Sequence, residues 1–110
     1  MRQGTTPAYT LTISGYDLTD KTVFVAIKER GKMLVLTGFR LSIAYDDGTS
    51  AIVFSLTQEE TLALPTGQAE VQVRFIDSSG IARATDIKTI PVERVLQPGV
   101  IEYEGGEDDA

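Results

Sequence analysis

The residue pattern points to an all-β protein: a small antiparallel sandwich of about seven strands with one short helix near residues 57–63. Three observations carry this expectation. Short segments alternate apolar and polar residues with period two. Turn-forming residues recur about every 8–12 positions, the spacing of sandwich strands. No strand–helix–strand spacing is present, which removes parallel α/β architectures.

Residues 8–13, AYTLTI, alternate, with Tyr9, Leu11 and Ile13 on one face and Thr10 and Thr12 on the other. Ser14, Gly15, Asp17 and Asp20 make 14–21 a turn region. TVFVAIK, 22–28, is β-branched and aromatic and reads as a central strand. ERGK, 29–32, turns the chain into MLVLT, 33–37. RLSIAYD, 40–46, and AIVFSL, 51–56, alternate on either side of DDGTS and form a hairpin. Tyr9 and Tyr45 fall on the apolar parity of their strands, so both are expected in the core.

SLTQEETLAL, 55–64, interrupts this pattern. Thr57 followed three residues later by Glu60 is a capping box: the threonine hydroxyl accepts from the Glu60 N–H, and the Glu60 carboxylate accepts from the Thr57 N–H. Acidic residues also suit the first turn of a helix dipole. Leu56 and Thr61 occupy the staple positions, where threonine makes a weak staple. Leu62 and Leu64 are expected to cover one edge of the core, and Pro65 and Gly67 stop the helix.

AEVQVRFID, 69–77, has Val71, Val73 and Phe75 facing in and Glu70, Gln72 and Arg74 facing out. DSSG, 77–80, reverses the chain. In the return strand, 81–92, Ala82 and Ala84 share one parity with Ile90 and Val92 while Ile81 and Ile87 take the other, which predicts a bulge or a strand that switches sheets. Pro91 places its end at an edge. Residues 93–103 are expected to add a last short strand or a docking arm.

At 110 residues and 42% hydrophobic, the chain supports one core. The expected division is a β-sandwich domain over 1–101 and an acidic flexible tail over 102–110. The net charge of −6 is unevenly placed: Glu102, Glu104, Glu107, Asp108 and Asp109 carry five of the negative charges, leaving −1 for residues 1–101. A near-neutral body has no basic footprint for nucleic acid. No apolar run approaches the roughly 20 residues that span a bilayer, and no secretion signal is visible at the start, so the expectation is a soluble protein.

The chain has no cysteine and no histidine. Disulfides, thiolate sites and the Ser-His-Asp arrangement are excluded, and so are the commonest zinc ligands. An enzyme here would run on carboxylates, lysine or hydroxyls. Glu59 and Glu60 are the obvious pair, but adjacent helical residues point about 100° apart and do not converge on one substrate atom. Asp46-Asp47-Gly48-Thr49 lacks the further carboxylates of a calcium loop and reads as a turn. Arg30-Gly31-Lys32-Met33 lacks the spacing of a phosphate-binding loop. Arg74 and Arg83 are expected to face each other across one hairpin and, with Glu70 and Asp86, to form a charged outer face. Tyr9, Tyr16, Tyr45 and Tyr103 are candidate stacking platforms for a glycan or other ligand. No catalytic, cofactor or metal residue is assigned.

Three stretches together resemble a known group: YTLTISGYDLTDKTVFVAIK, FSLTQEETLAL with GQAEVQVRFIDSSGIARATDIKTIPVERVL, and the closing GVIEY. They are similar to small prophage-encoded proteins of Gram-positive bacteria that look like the N-terminal domain of phage baseplate upper proteins. The resemblance spans roughly residues 8–101. It implies an Ig-like sandwich and a virion component of the tail or baseplate, assembled in the bacterial cytoplasm. It implies a homo-oligomer or multimeric assembly with other phage structural proteins, and no catalytic residues or cofactor. The longer baseplate proteins continue into coiled-coil and receptor-binding regions that this sequence does not contain. Strands 69–77 and 81–92 are the expected contact surface.

Overall fold

The structure, a computed structural model, describes residues 1–103. The acidic stretch expected to form a flexible tail lies outside the described residues from position 104 on. The chain is an all-β sandwich. Its elements are β1 (Ala8–Ser14), β2 (Thr22–Glu29), β3 (Lys32–Thr37), a 3-10 turn (Gly38–Arg40), β4 (Ser42–Asp46), β5 (Thr49–Ser55), α1 (Gln58–Ala63), β6 (Gly67–Ile76), β7 (Ala82–Ala84) and β8 (Lys88–Val92). One sheet has the order β1-β5-β4; the other runs β3-β2-β6, with β7 and β8 both paired to β6. Every strand pair is antiparallel. Strands β1, β5 and β4 stand where an immunoglobulin sandwich has B, E and D, and β3, β2, β6 and β7/β8 where it has C′, C, F and G.

The core lies between the sheets and follows the alternation. Val23, Val25 and Ile27 of β2 meet Val71, Val73 and Phe75 of β6, with Ile52, Phe54 and Leu56 opposite, each at most 3% exposed. Each such side chain contributes about 1.5–3 kcal/mol by leaving water. The β4–β5 hairpin closes on Asp47 (φ 50) and Gly48 (φ 80). Positive φ at both central residues is the type I′ turn that matches strand twist.

The region 14–21 turns as expected but also supplies a core residue. Leu18 is fully buried. Its N–H donates to Ser50 Oγ (2.9 Å), and that hydroxyl donates to the Tyr16 carbonyl (2.7 Å). A buried serine thus ties the loop to β5.

The capping box forms as expected: Glu60 N–H to Thr57 Oγ1 at 3.1 Å, Thr57 N–H to Glu60 Oε1 at 2.8 Å. Thr61, expected only as a weak staple, is fully buried. Its hydroxyl accepts from Gly4 N–H and donates to the Thr5 carbonyl, both at 2.9 Å. Residues 1–7 are held as a strap across one end of the sandwich. Gln3 N–H reaches the Glu93 carbonyl (2.9 Å), and Leu56 N–H reaches the Pro7 carbonyl (3.0 Å).

The return strand bulges and does not change sheets. Three residues, 85–87, lie opposite two on β6, between the pairs Arg74↔Ala84 and Val71↔Lys88. Thr85 fills the bulge: its N–H donates to the Val73 carbonyl (2.9 Å), and its hydroxyl accepts from Val73 N–H (3.1 Å). The extra residue inverts the side-chain parity, which is why Ala84 faces out and Ile90 in.

Two expectations are corrected. Arg74 faces Ala84, and Arg83 faces Phe75. The five-residue connection 77–81 shifts the register by one from the symmetric pairing, and one step places the two arginines on opposite faces. Tyr45 is 44% exposed. It sits at the hairpin end of β4, opposite Ser50, and β4 is the edge of its sheet with no strand beyond it to cover the ring. The segment after β8 is partly an arm: Ile101 N–H and carbonyl both bond to the Gln58 side-chain amide, at 2.8 and 2.9 Å.

Candidate protein-contact face

The outer face of the larger sheet is built by strands whose apolar residues fall on both parities. In β2 the inward residues Val23, Val25 and Ile27 are interleaved with Phe24 and Ala26. In β3 the residues Met33 and Val35 stand outward at 60% and 51% exposure, while Leu36 is buried. Register places Ala26 between Val35 and Gln72, and Phe24 beside Arg74. Ile76 and Ala82 continue the surface across the β6–β7 pair. Together they line a depression of about 420 Å³. Its rim is polar, with Gln72 and Arg74 beside the apolar floor. An apolar floor with a polar rim is the composition of a protein contact site.

The expected contact strands 69–77 and 81–92 contribute only part of this face. Phe24, Ala26, Met33 and Val35 were missed. The signal for them is present in TVFVAIK and MLVLT, which are nearly continuous apolar runs. A strand with one solvated face alternates; these two do not, so both of their faces are apolar.

The other candidates are placed as follows. Glu60 is consumed by structure: its carboxylate takes both Arg40 guanidinium nitrogens, at 2.7 and 2.8 Å, as well as the cap. Glu59 is exposed and does not join it. Arg40 holds the Glu60 carboxyl below the usual carboxylate range, assisted by the Thr57 N–H and opposed by burial. Asp47 and Gly48 are the hairpin turn, and Arg30-Gly31 is the two-residue link between Glu29 and Lys32. Arg83 lies over the Tyr16 ring (5.3 Å), which packs on Phe75 (5.2 Å). Tyr9 packs on Phe54 (5.7 Å), and burial raises its phenol above the ordinary value. Tyr103 is exposed. Among the described residues no three acidic, histidine or cysteine side chains gather at a metal-binding distance, and no helix is long and apolar enough to cross a membrane.

The Glu60 contacts carry a pH prediction. A carboxyl with a lowered folded pKa stabilises the fold above its unfolded value, about 4.3, and that contribution disappears as pH falls through the folded value. Glu60→Gln should therefore cost about 1 kcal/mol at pH 7, with Arg40 partly solvated, and the gap to wild type should narrow as the pH falls below the unfolded carboxyl value. Urea unfolding of both proteins across that range measures it. A gap independent of pH would mean that the charge of Glu60 is not what stabilises the helix start.

No protein-family model matches the sequence, and no curated protein matches it.

Proposed function

We propose that the chain is a non-enzymatic structural protein of a phage or prophage, an assembly module of the tail or baseplate that works through protein–protein contacts. The observation that carries the contact role is the outer face of the β3-β2-β6-β7 sheet, where Phe24, Ala26, Met33, Val35 and Ile76 present an apolar depression beside Arg74. Water-exposed apolar surface of this kind costs free energy until a partner covers it. The phage setting rests on the residues quoted for the resemblance. It supplies the partners, other structural proteins of the particle, and the place: the host cytoplasm during assembly and the virion afterwards. The non-enzymatic reading is supported by the structural use found for Glu60, which caps a helix and binds Arg40, and by the failure of Glu59 to converge with it.

The test is capture of purified tail and baseplate gene products, encoded beside this chain, on the immobilised wild type and on Ala26→Lys. Ala26 is the centre of the face, and a lysine there extends into the depression without entering the core. Binding of at least one neighbour is expected, and at least tenfold weaker binding by the variant with an unchanged melting temperature. Neighbouring genes with no tail function, and no capture of any neighbour, would refute the reading.

A further inference from the structure

Strand β3 ends its sheet. In a hairpin with a two-residue link the closing pair exchanges both backbone bonds, and the bonded pairs then alternate. The closing pair is Glu29↔Lys32, so Lys32, Leu34 and Leu36 point their N–H and C=O groups at β2. Those of Met33 and Val35 point away from the sheet, and neither is bonded elsewhere among the described residues; Thr37 faces the same way, and its carbonyl begins the 3-10 turn. Natural edges are guarded by prolines, bulges, or charges in the strand. Strand β3 has one of these, Lys32 at its start, and none over residues 33–37, Met-Leu-Val-Leu-Thr. Phe39, just beyond the strand, is fully exposed.

We propose that β3 pairs antiparallel with β3 of a second copy of this chain, about a two-fold axis at Val35. The inference rests on the assembly reading above and names the partner for one edge of it. The choice of a second copy follows from what the pairing sets opposite what. Val35 meets Val35 of the partner subunit, and Met33 meets the partner's Thr37, so the apolar outer faces join. Lys32, the only charged residue of the strand, lies opposite the partner's Gly38 and not its own copy. The nearest cation on that side, the partner's Arg40, is neutralised by its own Glu60, as the 2.7 Å contact in this chain indicates. The pairing also carries the exposed Phe39 toward the partner's Gly31, which has no side chain to obstruct it. A parallel pairing would instead set the two Lys32 side chains side by side.

Size exclusion with light scattering over a concentration series tests this on the full chain. The wild type is expected to move from 11.9 kDa toward twice that mass. Val35→Lys places two lysines on the axis and should weaken association at least tenfold, and Val35→Glu should do the same. An equimolar mixture of the two variants should associate again, because the axis then sets an introduced ammonium against an introduced carboxylate. Melting curves confirm folding; should either variant melt early, Met33→Lys, away from the axis, replaces it with a smaller expected loss. A wild type that stays at 11.9 kDa overturns the proposal, as does an unrescued mixture. Association that ignores the Val35 variants also overturns it while leaving the assembly reading intact, because copies would then meet elsewhere. Neighbour capture by the wild type separates the two: the assembly reading fails only if the wild type captures nothing, whatever its own oligomeric state.

Discussion

Phe75→Ala is expected to lower the stability of the protein by about 3–5 kcal/mol, the range for emptying a buried aromatic site. Phe75 is 3% exposed on β6, facing the small sheet. Its ring supports Tyr16 at 5.2 Å, and Tyr16 in turn lies under the Arg83 guanidinium. The truncation leaves a cavity that the surrounding strands close poorly, because each is pinned by its neighbours. It also removes the floor beneath Tyr16, so the loop that carries Leu18 loosens. A domain of this size has about 5–15 kcal/mol in all, so the variant should be close to unfolding at 37 °C. Phe75→Leu keeps most of the volume and should cost less than half as much. Denaturant titrations of both variants decide the matter. Equal losses for alanine and leucine would show that the aromatic stack, and not the filled volume, is what Phe75 supplies.

Gly67→Ala has the next largest expected effect, about 2–4 kcal/mol. Gly67 opens β6 at φ +136, a conformation that side chains with a Cβ rarely adopt. A Cβ there would overlap the Glu29 carboxylate and approach its Cδ to 3.3 Å. Glu29 is itself buried, at 7% exposure, so its side chain has little room to swing aside. Its Oε2 is buried without a hydrogen-bond partner among the described residues. The two costs separate in a double-mutant cycle. In a Glu29→Ala background the contact is gone, and the same glycine change should cost only the backbone part, about 1–2 kcal/mol. An undiminished cost in that background would assign the whole effect to φ.

Local chemistry made much of this legible. Thr57 and Glu60 are three residues apart, so their capping bonds depend on nothing beyond the helix turn they start. Asp47-Gly48 specifies its hairpin because few other residues accept positive φ at both positions. The alternation of Val71, Val73 and Phe75 assigns the inner face of β6 directly. Thr61 was less legible, since a threonine at that position is ordinary in sequence and gains its meaning from Gly4 and Thr5, far along the chain. Leu18 was hidden among turn formers for the same reason: its burial depends on Ser50. The contact face was legible only in part, because apolar runs in 22–27 and 33–36 announce two apolar faces but not which neighbours lie beside them.

Strand periods, turns, the helix cap and the exclusion of cysteine and histidine chemistry could all be read from the linear chain, because each depends on residue types or on residues near one another. The register of β6 with β7, the bulge at Thr85, and the meeting of Phe24, Val35 and Ile76 on one outer surface emerged only once the chain was folded. A strand's faces follow from its own alternation, but which residues stand side by side depends on loop lengths and on how the two sheets close over the core. A one-residue difference in the 77–81 connection moves Arg83 from one face to the other.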